Sequence, residues 1–319
     1  MTMEIASIRV VRKPWGRTDL RPWSELGHDG GAIGELWFER STAGAPEPTL
    51  LLKLLFTDEP LSIQVHPNDA FAHSLGLPNG KTEAWYVLAA AHGARVGIGL
   101  KRDLTPPQLR AAILDGSIAD LVQWRDLVAD DAVLVPAGTI HAVGGGLVIA
   151  EVQQRSDTTF RLFDYGSRRE LHLDGAVGSS LPSQSVVQAD PVLLSDVRRM
   201  MAQSPYFILE QVELAPNSHW ELDAVGEVWV LMIDGEAAFD LTQLGVGEAM
   251  FLQGQRAGMR TTEQGAKALI AYVGSEPLQG LLQSRNGVSM EQMAQRFPEL
   301  KLGQTTSPDA APRPWGMRT

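Results

Sequence analysis

Two short stretches of the chain are echoed further along it, and this echo most narrows what the chain can fold into. Glu83-Ala84-Trp85-Tyr86-Val87-Leu88 resembles Glu227-Val228-Trp229-Val230-Leu231, and Asp131-Ala132-Val133-Leu134-Val135 resembles Glu248-Ala249-Met250-Phe251-Leu252. Each stretch reads as a strand, so the internal similarity predicts two related β-barrels. The spacing within each pair differs because the first copy holds an insertion that the second lacks. A length of 319 residues suits two units of ordinary size. The 31 glycines and 19 prolines favour many short strands joined by turns.

Strands are expected over residues 34–40, 50–56, 61–66, 83–88, 132–135 and 147–153, and residues 68–74 have the residues to cap and form a short helix. From Thr105 the period changes. Thr105-Pro106-Pro107 supplies a cap and a helix start, and Leu109, Ile113 and Leu114 recur at helical spacing up to Asp115-Gly116. A second helix is expected over 118–124, which makes the insertion a helical one spanning about 103–126. The expected division is a first barrel over 1–180, a second, degenerate barrel over 190–275, and a C-terminal helical segment with a poorly ordered tail over 276–319. Leu281-Leu282 and residues 290–297 are the expected helices of that last segment, and Ser, Pro and Ala mark the tail.

Composition excludes several functions. The formal net charge is −11 and no long basic block occurs, so the clustered positive field that nucleic-acid binding needs is missing. With no cysteine, disulfides, thiolate metal sites and cysteine nucleophiles are ruled out. Any metal must then be held by histidine, carboxylate or amide groups. The apolar stretch before Arg9, Arg12 and Lys13 is too short for a secretory signal, and no run reaches the ~20 apolar residues of a membrane span. A cytoplasmic protein is the expectation.

Gln64 and His66 are two apart on an expected strand, so both side chains leave the same face. Glu83 lies on a second strand. Pro136-Ala137-Gly138-Thr139-Ile140-His141 sets a histidine just past a tight turn, whose residues fix its direction. Each residue has an ordinary explanation alone: a strand histidine is usually hydrogen-bonded, and exposed strand carboxylates are common. Together, two histidines, a carboxylate and an amide oxygen inside a small barrel can hold a divalent ion with one position left open. His28, His73, His92, His172 and His219 lack such company and read as structural or solvated.

Pro136-x-Gly138-x-x-His141 matches the second cupin motif, and Gln64-x-His66 stands where the first carries His-x-His. More specifically, residues 61–67 (LSIQVHP), 80–86 (GKTEAWY) and 154–161 (QRSDTTFR) resemble, in order, three motifs of the class I mannose-6-phosphate isomerase family. The resemblance runs from about Lys13 to Leu173 and loosens beyond, toward the short bacterial forms. It implies a mainly β fold of two cupin-type (jelly-roll) barrels with a short helical insertion in the first. It also implies interconversion of mannose 6-phosphate and fructose 6-phosphate.

By the same resemblance Gln64, His66, Glu83 and His141 are ligands of one Zn2+ per chain. Lys81 and Arg161 take the places of an active-site lysine and arginine, and Glu151 that of a carboxylate linked to proton transfer. Ser62 matches a serine near the pocket mouth. Arg169 lies near a basic residue implicated in phosphate binding, with Arg168 as its rival. These residue types suit the chemistry, because moving a proton between adjacent sugar carbons passes through an enediolate whose charge a cation stabilises. A phosphate in an acidic protein needs cations such as Arg161, Lys81 or Arg169.

In the second barrel, the echo places Gly258 where His141 stands, and His219-Trp220-Glu221 is a poor replacement, so no second site is expected. The expected partner is a phosphorylated hexose, with no nucleic acid or membrane, in a monomer or homodimer. Two other readings use the same ligands. One is an iron oxygenase held by His66, His141 and Glu83, which has no need of a phosphate clamp. The other is a sugar-phosphate sensor, which would be expected to lose Lys81, Glu151 or a ligand.

Overall fold

Short apolar runs become strands throughout the structure, a computed structural model that describes residues 2–27, 30–167, 169–181, 188 and 190–285. The chain runs through β1 (Thr2–Ile5), β2 (Ser7–Arg17), β3 (Ile33–Glu39), β4 (Leu50–Thr57) and β5 (Ile63–Val65). There follow α1 (Asp69–Ser74), β6 (Glu83–Ala90), β7 (Arg95–Leu100), α2 (Pro106–Asp115) and α3 (Ile118–Leu121). Next come β8 (Val122–Asp126), β9 (Ala132–Val135), β10 (His141–Val143), β11 (Leu147–Gln154), β12 (Phe160–Phe163) and α4 (Leu173–Ser179). The remainder is β13 (Val192–Ser195), β14 (Arg198–Gln203), β15 (Phe207–Leu214), β16 (His219–Phe239), β17 (Thr242–Leu244), β18 (Ala249–Val273) and β19 (Leu282–Ser284). No described helix is long and apolar enough to cross a membrane.

The fold is mainly β, in three sheets. A six-stranded sheet in the order β2-β3-β4-β11-β6-β9 faces a five-stranded one in the order β12-β5-β10-β7-β8. Between them Leu55, Trp85, Val87 and Ile149 of the larger meet Val96, Ile98 and Val143 of the smaller. Helices cover the outer face of the smaller sheet: Leu109, Ile113, Ile118 and Ala176 pack with Ile63, Val65, Ala142 and Leu162. Thr105 caps α2 in a capping box with Gln108, and Gly116, at φ 79°, ends it in the left-handed region. Leu114 is 71% exposed and lies off the buried stripe of this helix. One expectation for the insertion fails. The second helix stops at Leu121, because Val122 begins a strand that pairs with the open edge of β7. Pairing there outweighs local helix preference.

The third sheet has eight strands, ordered β13-β14-β15-β18-β16-β17, with β1 added on β18 and β19 on β16. Leu282 therefore begins a strand where a short helix was expected. Residues 290–297 and the tail lie outside the described residues, as do His28 and Arg168.

The echo marks corresponding strands but misleads about their faces. Trp85 pairs with Val133 and Glu151, and Trp229 with Phe251 and Ala271, so the ladders correspond. Yet Trp85 points between the first two sheets, while Trp229 points out of its own sheet. In a strand, a slip of one residue exchanges the faces. The interior of the third sheet is lined instead by Val228, Val230, Met250, Leu252 and Ile270. Trp229 joins a different cluster, in which Leu231, Phe251 and Phe207 meet Phe38, Leu52, Tyr86 and Val152. One continuous core thus joins the six-stranded and eight-stranded sheets.

Candidate metal centre and active site

Strand pairing brings the candidates into one chamber. Gln64 on β5 is the lateral neighbour of both His141 on β10 and Arg161 on β12. Since Ile63, Val65 and Ala142 face the helices, the alternating residues Gln64, His66 and His141 face inward. On the opposite sheet Glu151 lies between Lys53 and Trp85, and Gln153 beside Glu83. Gly138, at φ 88°, makes the turn before His141, and its N–H donates to the His66 carbonyl at 2.8 Å. The turn is thereby tied to the strand that carries the other histidine.

Donor atoms of His66, Glu83 and His141 lie within 4.8 Å of one another, and all three residues are buried. The Glu83 carboxylate oxygens are 3.4 Å from each Nε2. Backbone carbonyls set both tautomers: Nδ1–H of His66 donates to Thr158 and that of His141 to Thr139, each at 2.9 Å. Both Nε2 lone pairs then face the centre. Burial, with Lys81 nearby, pushes the His66 pKa down to about 3, and burial also lowers that of His141. Both rings are therefore neutral near pH 7 and able to act as ligands.

Gln64 Nε2 lies 3.2 Å from His141 Nε2, and Ser62 donates to Gln64 Oε1 at 3.3 Å. A half-turn of the Gln64 amide exchanges its nitrogen for an oxygen at that point. Glu83 Oε2 has no aligned hydrogen-bond donor, although Lys81 Nζ is 2.8 Å away. Two neutral imidazole nitrogens, a carboxylate with lone pairs to spare and an adjacent amide fit a divalent ion that takes nitrogen and oxygen ligands, such as zinc.

Lys81 Nζ also approaches His66 Nε2 to 3.1 Å. Burial works against its charge, but Glu83 and Glu151 outweigh burial and push its pKa up. Burial likewise opposes ionisation of Glu83, but Lys81, His66 and His141 together outweigh it and hold Glu83 well below the usual carboxylate range. Glu151 goes the other way, raised by burial and by the charge of Glu83, against the pull of Lys81 and Lys53. Its Oε1 is 3.3 Å from Lys53 Nζ and 4.0 Å from Lys81 Nζ, and Trp85 Nε1 donates to its Oε2 at 3.2 Å. Two buried carboxyls with oppositely shifted pKa values are an arrangement able to pass a proton.

A cavity of about 270 Å³ opens beside this cluster, and Ser62, Gln64, Lys81, Glu151, Arg161 and Arg169 all line it. Lys13, Glu35 and Lys53 line it too, and sequence reasoning missed them. Lys53 had a legible signal, as the lone charge in the otherwise apolar run of β4. Arg161 donates from Nη1 to the Glu170 carbonyl at 2.8 Å and leaves its buried Nε without a hydrogen-bond partner. Arg169 is committed differently, with both Nε and Nη2 on Asp164. His172 accepts from the Arg161 N–H, and His73 bonds the Pro78 carbonyl.

No comparable cluster exists in the third sheet. Among the described residues His66, Glu83 and His141 are the one such group. Glu221 accepts from Arg285 at 2.8 Å and lies 3.7 Å from Arg256, so its charge is already answered. Gly258 lies mid-strand opposite Glu221 and donates to Asp240.

No family model matches the chain. Mannose-6-phosphate isomerase ManA of Bacillus subtilis (strain 168) is 36% identical over 181 residues, covering 52% of this chain and 57% of that protein. The matches span little more than half the length of the curated relatives. Among solved structures, the mannose 6-phosphate isomerase from Bacillus subtilis has a TM-score of 0.72 at 23% identity, covering 85% of this chain and 99% of that one. A zinc-bound mannose 6-phosphate isomerase has a TM-score of 0.66 at 17% identity, covering 86% and 100%. At these identities the solved structures share the fold.

Proposed function

We propose that the chain is a class I mannose-6-phosphate isomerase, on its 36% identity to the Bacillus subtilis relative over 52% of its length, and that it interconverts mannose 6-phosphate and fructose 6-phosphate. The observation that carries this reading is the convergence of His66, Glu83 and His141 beside a cavity whose lining, Gln64 and Lys81 included, holds both carboxylates and cations. Gln64, His66, Glu83 and His141 would hold Zn2+, which supplies a Lewis acid for negative charge developing on sugar oxygens. Glu151 is the proton carrier of this reading, since a carboxyl raised by burial holds a proton more readily than an ordinary carboxylate and can return it. Lys81, kept charged, faces the oxygens of the enediolate and neutralises them. Arg161 receives the phosphate with the aid of Arg169, and Ser62 orients Gln64 at the mouth.

The same reading divides the chain into a catalytic cupin barrel over 1–180 and a second, degenerate one over 190–275. It places the protein in the cytoplasm as a monomer or homodimer. A coupled assay of fructose 6-phosphate formation from mannose 6-phosphate tests it. Turnover should vanish with a chelator and return with zinc. A zinc-loaded protein that leaves mannose 6-phosphate unchanged would refute the activity.

A further inference from the structure

Lys81 is carried on a segment held at three consecutive amides. Gly80 N–H donates to Asp69 Oδ1 at 2.7 Å, Lys81 N–H to the Pro67 carbonyl at 2.9 Å, and Thr82 N–H to Gln154 Oε1 at 2.9 Å. Gln154 turns its Nε2 back to Asp69 Oδ1 at 3.0 Å, so the two side chains act as one clamp. The segment sits close against the start of α1: a Cβ on Gly80 would stand 2.6 Å from Asn68 C and the Pro67 carbonyl oxygen. Thr82 extends the clamp to the histidine turn, its hydroxyl accepting from Ala137 N–H at 3.1 Å.

The second oxygen of Asp69 leads out of this half of the molecule. Asp69 Oδ2 accepts from the Tyr206 hydroxyl at 2.9 Å. Tyr206 lies in the turn before β15, packs against the core shared by the two large sheets, and donates its own N–H to Ser204 at 3.2 Å. The turn before β15 is therefore two hydrogen bonds, through Asp69, from the peptide that aims Lys81. We propose that Tyr206 and Asp69 are positioning residues through which the eight-stranded sheet sets the reach of Lys81 into the pocket.

The catalytic consequence rests on the isomerase reading, whereas the clamp itself does not. A buried lysine shared among His66, Glu83 and Glu151 has little slack, and displacement of its backbone changes which of them it meets. Tyr206→Phe removes one hydroxyl and leaves the ring in place. In the zinc-loaded full-length protein it should lower kcat about fivefold to tenfold, as loss of one hydrogen bond does. KM should stay within about twofold, with zinc content and Tm close to those of the parent. Amide exchange over residues 78–83 should accelerate. Introduced into Lys81→Ala, whose residual turnover is followed over long incubations, Tyr206→Phe should have no further effect. Asp69→Asn, which keeps one acceptor, should fall between the parent and Asp69→Ala. Unchanged exchange over 78–83, or an equal loss of kcat with and without Lys81, would overturn the proposal. If the zinc-loaded parent does not isomerise the sugar phosphate, the functional reading fails, and the exchange measurement still decides the clamp.

Discussion

Charges alternate in sign from the protein surface to the candidate metal centre: Lys13, Glu35, Lys53, Glu151, Lys81, Glu83. Successive partners lie 3.6, 3.7, 3.3, 4.0 and 2.8 Å apart. Burying single charges would be prohibitive, and the alternation lets each inner member be answered on both sides. Arg161 stands apart from this row, and its Nε has no hydrogen-bond partner of its own. Its pKa is lowered by burial and by Arg169, yet a guanidinium stays charged at any working pH. Arg161→Ala should weaken transition-state binding of mannose 6-phosphate by ~2–5 kcal/mol, the range for a desolvated charged contact. Arg161→Lys should recover part of that, having lost the two-pronged fork. Measured kcat/KM for both variants checks this, and a parent-like value for Arg161→Ala would remove Arg161 from the phosphate site.

Strands decide which tryptophan serves which task. Trp85 contacts His141 edge-on at 5.6 Å and bonds Glu151, whereas Trp229 packs edge-on against Phe251 at 5.1 Å in the shared core. Trp229→Ala should destabilise the protein by ~3–5 kcal/mol by leaving a cavity, with zinc content unchanged. Trp85→Phe should cost less stability than that and lower turnover through Glu151. Denaturant unfolding beside zinc analysis separates the two. Much of this architecture was legible in the chain. Alternation placed Gln64 and His66 on one face, and the turn around Gly138 aimed His141. The face of Trp229 was not legible, because the short match between the echoes is blind to a slip that reverses a strand. Nor was the end of the second helix at Leu121, since the edge of β7 that captures residues 122–126 is made by distant pairing. Lys13 and Glu35 were missed for the same reason: only the order β2-β3-β4-β11 brings them beside Lys53 and Glu151.

At the scale of the whole molecule, one half carries the candidate chemistry and the other supports it. The interior of the eight-stranded sheet is filled by apolar side chains, Phe239 and Tyr272 among them, and by a satisfied Arg198–Glu210 pair, bidentate at 2.8 Å. The purified protein should therefore hold one zinc per chain. Changing His219 and Glu221 together to Ala should leave that number and the turnover nearly unchanged. A stoichiometry near two, falling to one in the double variant, would reveal a second centre. The shared core adds that the halves are not separable parts, since Phe38, Leu52 and Tyr86 meet water if Phe207, Trp229 and Phe251 are taken away. The placement of β1 has a further consequence for folding. Thr2 pairs with Gln253 and Ile5 with Met250, so β1 docks on a strand from a distant part of the sequence. Until β18 has folded, β1 has no native neighbour on this side and presents an open edge. Pairing across so long a separation is slow to form, so this seam closes late in folding.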